Sequence, residues 1–134
     1  MKFAKLTFIL TIFFLITSSF KTSEATQEKY EYIYWYWNKE GTDVYYFTEV
    51  VAVKTNDLNK YSEAIGIIQQ YLDNNVQHTR EAEFSPNFDT LEEAQTDRKK
   101  QMNEIDYIFG KFKAKGFTFP YDVKNRIKDI NQQH

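Results

Sequence analysis

The sequence lacks cysteine altogether, and among its 134 residues it has only two histidines, two prolines and four glycines. Without cysteine the chain can form neither a disulfide bond nor a thiolate metal site, and it lacks the residue that carries the lipid of a bacterial lipoprotein. The four glycines do not form a cluster that could hold a phosphate group. These absences exclude thiol chemistry and give no sign of a nucleotide cofactor.

A large excess of one charge is also missing. The chain has 17 basic and 19 acidic residues, which gives a formal net charge of −2. Because phosphate backbones are bound mainly by lysine and arginine, a mildly acidic chain offers no electrostatic basis for binding nucleic acid. We therefore expect no nucleic-acid partner.

Histidine chemistry would depend on His78, since His134 is the only other histidine. In the strand predicted around it, His78 shares its face with Arg80 and Ala82, neither of which is a metal ligand. No Gly-x-Ser-x-Gly sequence marks a nucleophile that His78 could activate. The sequence therefore predicts no metal, no cofactor and no catalytic residue.

The first 25 residues have the three-part pattern of a secretory signal peptide. Two lysines precede the apolar run from Leu6 to Ile16, and Ser23-Glu24-Ala25 supplies the small residues of a cleavage site; a cut near Ser19 is the alternative. The run is shorter than the roughly 20 residues of a spanning helix, so we expect cleavage and no membrane span afterwards. Cleavage after Ala25 removes three lysines and one glutamate, which leaves 14 basic and 18 acidic residues and a net charge of −4. We expect an exported bacterial protein, periplasmic or secreted.

Aromatic residues make up 18% of the chain and are concentrated between Tyr30 and Val53. Two runs of strand-forming residues flank the polar stretch Asn38 to Thr42, in which Gly41 can adopt the positive φ of a tight turn. The pattern predicts a β-hairpin in which Trp37 lies opposite Val44 and Trp35 lies opposite Tyr46.

Alternation of side chains sorts this hairpin into two apolar faces. We call the first the tryptophan face, since it carries Trp35 and Trp37, and we expect it in the core. The second, the tyrosine face, has a central carboxylate that is costly to bury without a partner, so we expect it to be partly exposed. Its candidate binding residues are Tyr32, Tyr34, Tyr36, Tyr45, Phe47 and Glu49; Val51 and Val53 lie on the same face. The alternatives are that a second layer, such as the C-terminal segment, covers this face, or that a homodimer buries it.

Beyond the hairpin, hydrophobic spacing predicts an amphipathic helix over 57–73, an edge strand over 76–84 and a second helix that begins at Asp89 or Thr90 and ends before Gly116. A short strand follows at 117–119, and the tail 121–134 either docks as a short helix or stays loose. The order β-β-α-β-α-β predicts an α+β two-layer sandwich, with one domain over 26–120 and two amphipathic helices on one sheet face.

The two-faced aromatic hairpin favours a non-catalytic binding module that presents the tyrosine face to a protein or glycan partner in the cell envelope. The second hypothesis comes from a different functional class: a small envelope hydrolase that uses Glu31 or Glu49 with His78. It is suggested by the fact that sugar-processing sites combine carboxylates with aromatic rings. The predicted register places these two carboxylates on opposite faces, which disfavours the pair. A third hypothesis is a structural protein that forms homodimers through the tyrosine face.

Overall fold

The computed structural model describes residues 27–76, 82–108 and 110–133 of the chain. The predicted signal peptide, His78 and His134 lie outside these ranges. The described elements are β1 (Tyr30–Ile33), β2 (Trp35–Asn38), β3 (Val44–Thr48), β4 (Val51–Lys54), α1 (Leu58–Asn75), β5 (Glu83–Phe84), α2 (Leu91–Ile108), β6 (Lys113–Phe117) and α3 (Tyr121–Gln132). The predicted α+β class and the predicted order of elements are confirmed.

The aromatic hairpin is broken in both arms, so its strands belong to two sheets. Strands β1 and β4 form an antiparallel pair, and the other strands form a sheet in the order β5-β2-β3-β6 with β6 parallel to β3. At the break, the backbone N–H of Trp35 donates to the Thr48 side-chain hydroxyl at 2.9 Å, and that of Tyr34 donates to the Ser85 hydroxyl at 3.1 Å. Two buried hydroxyl groups thus replace ladder bonds where the strands bend apart.

The hairpin register differs from the prediction by two residues. Trp37 lies opposite Tyr46 and Asn38 lies opposite Tyr45, because the turn is centred one residue further along the chain, where the Lys39 N–H donates to the Val44 carbonyl. Since side chains alternate with period two, a shift of two residues leaves every side chain of β2 and β3 on its predicted face.

Beyond the break the assignment of faces was wrong for Val51 and Val53. Val51 lies opposite Ile33, and both valines are buried in the same core as Trp35. The interruption at Glu49 and Val50 moves the alternation by one residue, which transfers the odd-numbered side chains of β4 to the core.

Two amphipathic helices share the tryptophan face, namely α1 and the C-terminal helix α3. The core here combines Trp35 and Trp37 with apolar side chains of both helices. The helical members are Ala64, Ile67, Ile68 and Leu72 of α1 and Val123, Ile127 and Ile130 of α3.

The second predicted helix, α2, contacts the tyrosine face instead. The side of α2 turned to the sheet carries Ala94, which is fully buried, and the polar residues Asp97 and Arg98, which bond to groups of that face. The inward side of α2 thus has one small apolar residue and two polar ones. Such a side suits the tyrosine face, where a tyrosine hydroxyl can pair with the buried polar groups, better than it suits the apolar tryptophan face.

The ends of two predicted elements also differ from the structure. Helix α2 ends at Ile108, and Gly110 rather than Gly116 has the left-handed conformation, with φ of 54°. Of the strand predicted at 117–119, only Phe117 lies in a strand, since β6 runs from Lys113 to Phe117. Of the predicted strand 76–84, Glu83 and Phe84 form β5, and residues 77–81 lie outside the described residues.

Side chains cap the outer edges of two strands. The carboxylate of Asp106 on α2 accepts a bond from the Ala114 N–H of β6 at 2.7 Å. The amide of Asn131 on α3 accepts from the Lys54 N–H at 3.0 Å and donates to the Ala52 carbonyl at 2.9 Å. Each helix therefore occupies part of the sheet edge that lies beside it, which limits pairing of that part with other chains.

Two leucines of α1 provide a matched test of the core. Leu72 is fully buried, whereas Leu58 is 78% exposed at the first turn. We expect Leu72→Ala to lower the free energy of unfolding by about 2–5 kcal/mol, because it removes apolar contacts and leaves a cavity. Leu58→Ala should change it by about 0.5 kcal/mol or less. Urea unfolding measures both, and an equal effect of the two substitutions would contradict the placement of α1.

Candidate functional site

The centre of the tyrosine face is buried beneath α2. Tyr34 is 1% exposed and Phe47 is 2% exposed. The Tyr34 hydroxyl donates to the Asp97 carboxylate at 2.7 Å, and the Arg98 guanidinium donates to the Phe47 carbonyl at 3.0 Å and to the Thr48 carbonyl. The expected exposure of Tyr34 and Phe47 is therefore corrected, and neither side chain belongs to a contact surface of this fold. A second layer over this face was one of the alternatives, but α2 supplies it and not the C-terminal segment. The polar inward side of α2 gives a weak hydrophobic signal, which is why the sequence did not identify this helix as the layer.

Tyr36 and Tyr45 lie on the same face but nearer the hairpin turn, and both remain half-buried. The Tyr36 ring stacks on Phe47 with centroids 5.7 Å apart, and its hydroxyl donates to the Glu83 carboxylate at 2.8 Å. Tyr45 meets the edge of Phe112 at 5.3 Å. Of the predicted platform, Tyr36 and Tyr45 stay together here. With their neighbours Glu83 and Phe112, which the sequence analysis did not include, they form a surface that we call the tyrosine ledge.

The other two predicted platform residues lie apart from the ledge. Tyr32 is half-buried, and its backbone exchanges two hydrogen bonds with Phe88, at 3.0 and 3.1 Å. Glu49 accepts a bond from the Phe119 N–H at 2.9 Å and lies 3.6 Å from the ammonium group of Lys124. Glu49 thus joins the end of β3 to the start of α3, and the structure does not bring it together with the tyrosines.

An aromatic groove opens on the opposite side of the hairpin end. Trp37 stacks on Tyr46 with centroids 5.6 Å apart and meets the edge of Phe117 at 5.2 Å. A cleft of about 380 Å³ lies against these rings, with Lys39 and Asn75 among its lining residues. The prediction that Trp37 lies in the core is confirmed, since it is 4% exposed; Tyr46 and Phe117 are partly buried against that core and supply the more exposed aromatic surface of the cleft. The sequence did not reveal the cleft, because the two-residue change in register sets the rings of Trp37 and Tyr46 side by side at the end of the sheet.

The turn between the ledge and the groove is held by a dense set of hydrogen bonds. The Asn38 amide donates to the carbonyls of Thr42 and Val44, each at 3.2 Å, and the Thr42 hydroxyl donates to the Lys39 carbonyl at 2.9 Å. Gly41 supplies the positive φ, 71°, that the turn needs. Aromatic surfaces on both sides of the turn are therefore carried by a well-ordered scaffold.

The carboxylates considered for catalysis bind structural partners. Glu31 accepts a bond from the Asn87 amide, whereas Glu49 binds the start of α3 as described above. Across residues 27–76, 82–108 and 110–133, no three His, Cys, Asp or Glu side chains are grouped so that they could hold a metal ion. Within the same ranges, no helix has the length and apolar character needed to cross a membrane.

Comparisons with known proteins gave no relative. No family model matches the chain, and no curated protein and no solved structure matches it either. The function has to be inferred from the geometry of the surfaces alone.

Two tyrosines make the stability of the fold sensitive to alkaline pH. Burial and the Glu83 carboxylate raise the pKa of Tyr36 to about 12, and burial and the Asp97 carboxylate raise the pKa of Tyr34 still further. In the unfolded chain both would ionise near pH 10. Below pH 10 the contribution of both groups to stability is fully present, and as pH rises from 10 towards 12 the free energy of unfolding falls because the unfolded chain releases its protons first.

The urea midpoint should therefore fall steeply between pH 10 and about 12. The fall should be smaller in the Tyr34→Phe/Tyr36→Phe double variant. Tyr107→Phe, which changes a side chain that is 89% exposed, is the control and should keep the wild-type pH dependence. An unchanged slope in the double variant would show that these hydroxyls are not protected in the fold.

Proposed function

We propose that this chain is an exported, non-catalytic binding module whose contact surface is the turn end of the β2–β3 hairpin. The observation that supports it is the pair of aromatic surfaces, ledge and groove, on the two sides of one rigid turn. Tyrosine and tryptophan combine a large apolar area with few rotatable bonds, so they lose little conformational entropy when they contact a partner. The pattern of residues 1–25 favours a location in the bacterial cell envelope or outside the cell.

The chemistry of the two surfaces suits a protein or glycan partner. The ledge offers aromatic faces beside the Glu83 carboxylate, and the groove offers aromatic rings beside the Lys39 ammonium and the Asn75 amide. Aromatic faces pack against the apolar faces of sugar rings or side chains, whereas the charged and amide groups at the rim hydrogen-bond to hydroxyls and backbone groups. The partner is thus expected to be uncharged or of mixed charge, in keeping with the mixed charge of the rim.

Substitutions at the ledge test the proposal. Processed protein and its Tyr36→Ala/Tyr45→Ala variant would be titrated, by calorimetry, with soluble cell-wall glycan fragments and with partners captured from an envelope extract. A ligand of the hairpin end should bind the variant at least about tenfold more weakly, because truncated aromatic anchors cost more than 1 kcal/mol each at interface hot spots. Tyr107→Ala is the matched control, since Tyr107 is 89% exposed on α2 and lies outside both surfaces.

The outcomes separate the proposal from its alternatives. Equal affinity of wild type and ledge variant for every ligand found would contradict it, and so would an equal loss in the Tyr107 control. Sedimentation equilibrium at low micromolar concentration shows whether the protein forms a homodimer. If wild type is a dimer and the ledge variant is a monomer, the surface serves self-association instead. Turnover of any glycan or peptide during the titration would favour an enzyme instead.

A further inference from the structure

Strand β4 has an outer edge that α3 covers only in part. The Thr55 N–H donates to the Lys29 carbonyl at 2.8 Å, so the alternating antiparallel ladder directs the backbone groups of Val51 and Val53 towards β1. The groups of Ala52 and Lys54 point the other way, away from the sheet. At this edge the Asn131 side-chain amide bridges the Ala52 carbonyl and the Lys54 N–H, as the N–H and C=O of one residue in a parallel neighbouring strand would.

The next pair of outward backbone groups along the same edge is the Val50 carbonyl and the Ala52 N–H, and this pair is unbonded within the described part of the chain. The Val50 carbonyl and the Ala52 N–H have the spacing and outward direction of the pair that Asn131 binds, since trans peptide bonds point C=O and N–H in opposite directions. Neither group has a hydrogen-bond partner among the described residues. They face a cleft of about 350 Å³ between β4 and α3, and Ile127 is among the residues that line it.

The α3 side of this cleft is basic. Lys124 and Lys128 both line it and both are exposed, and Glu49 is the single acidic residue among the lining residues. The Glu49 carboxylate already accepts a bond from the Phe119 N–H and lies 3.6 Å from Lys124. Lys128 has no ion pair within the described part of the chain, so the cleft carries a local excess of positive charge on a protein whose net charge is negative.

We propose that the cleft between β4 and α3 binds the carboxyl-terminal end of an extended peptide. One residue of the peptide donates its N–H to the Val50 carbonyl and accepts from the Ala52 N–H, which is the bonding pattern of a strand parallel to β4. Helix α3 runs alongside β4 in the same direction, because Lys124 lies near Glu49 and Asn131 lies beside Lys54.

This direction determines where the end of the peptide lies. A parallel peptide carries its carboxylate towards Lys128, and Asn131 closes the edge beyond that point. The cleft is a separate site from the hairpin end and does not depend on the function proposed for it.

Fluorescence anisotropy with a defined probe tests this site. The probe is a fluorescein-labelled peptide of alternating valine and threonine with a free C-terminal carboxylate, and the comparison peptide is its C-terminal amide. We expect the carboxylate peptide to bind and the amide to bind at least about tenfold more weakly, because a hydrogen bond that involves a charged group is stronger than one between neutral groups.

Three variants locate the binding. Ala52→Pro removes the outward N–H and should abolish binding while the chain stays folded, since proline is tolerated on an edge strand where the N–H faces outward. Lys128→Glu should weaken binding at least about tenfold, and Lys111→Glu, an exposed lysine outside the cleft, should leave it unchanged. Far-UV circular dichroism checks that each variant is folded. If Ala52→Pro does not fold, the proposal is tested by comparing Lys128→Glu with Lys111→Glu and the carboxylate peptide with its amide.

Two results would overturn the proposal. One is the absence of binding up to millimolar peptide, and the other is equal binding of the carboxylate and amide peptides by wild type and Lys128→Glu. Tyr36→Ala/Tyr45→Ala should bind the probe as wild type does, so failure of this site and failure of the hairpin end are distinguishable.

Discussion

The structure depends on one constraint, namely that the aromatic hairpin is apolar on both faces. Tyr34 and Trp35 are neighbours in the chain and point to opposite sides, yet each is 1% exposed or less. A sheet with two such faces cannot be stabilised by helices on one side alone, because exposed aromatic area would remain. The chain meets the constraint with α1 and α3 on the tryptophan face and α2 on the tyrosine face.

The two sides are buried by different kinds of interaction. The tryptophan face packs against aliphatic side chains, and there the Trp35 indole N–H is buried without a hydrogen-bond partner among the described residues, which opposes part of the gain from burial. The tyrosine face packs through polar contacts that satisfy the Tyr34 hydroxyl and the backbone carbonyls at the end of β3. The second arrangement fixes the position of α2 more narrowly, since hydrogen bonds are directional and apolar contacts are not.

The local pattern of the sequence was enough to predict the class, the order of elements and the faces of β2 and β3. The tryptophan side of the hairpin and the apolar stripe of α1 were read from residue spacing, and both depend on nearby residues in the chain. The spacing of Val123, Ile127 and Ile130 likewise indicated a helix after Pro120, although it could not show that this helix completes the core.

The errors arose where distant residues decide the outcome. The break at Thr48 depends on its hydroxyl replacing a ladder bond to Trp35, and no local signal distinguishes this threonine from one on a strand surface. The burial of Tyr34 depends on Asp97, 63 positions later in the chain. The tyrosine face was therefore predicted as one platform, whereas its centre is buried and its half-buried tyrosines are divided between the two ends. The aromatic groove and the cleft beside β4 likewise follow from contacts between distant residues, which spacing rules do not describe.

Helix α3 affects the order in which this fold can form. It supplies Val123, Ile127 and Ile130 to the core and the Asn131 amide to the edge of β4, although it follows every strand in the chain. During synthesis the ribosome thus releases the whole sheet before the helix that covers its tryptophan face. Contacts between residues far apart in sequence form slowly, so we expect the docking of α3 to be a late step in folding. Until α3 has docked, the part of the tryptophan face beneath it and the outer edge of β4 are uncovered.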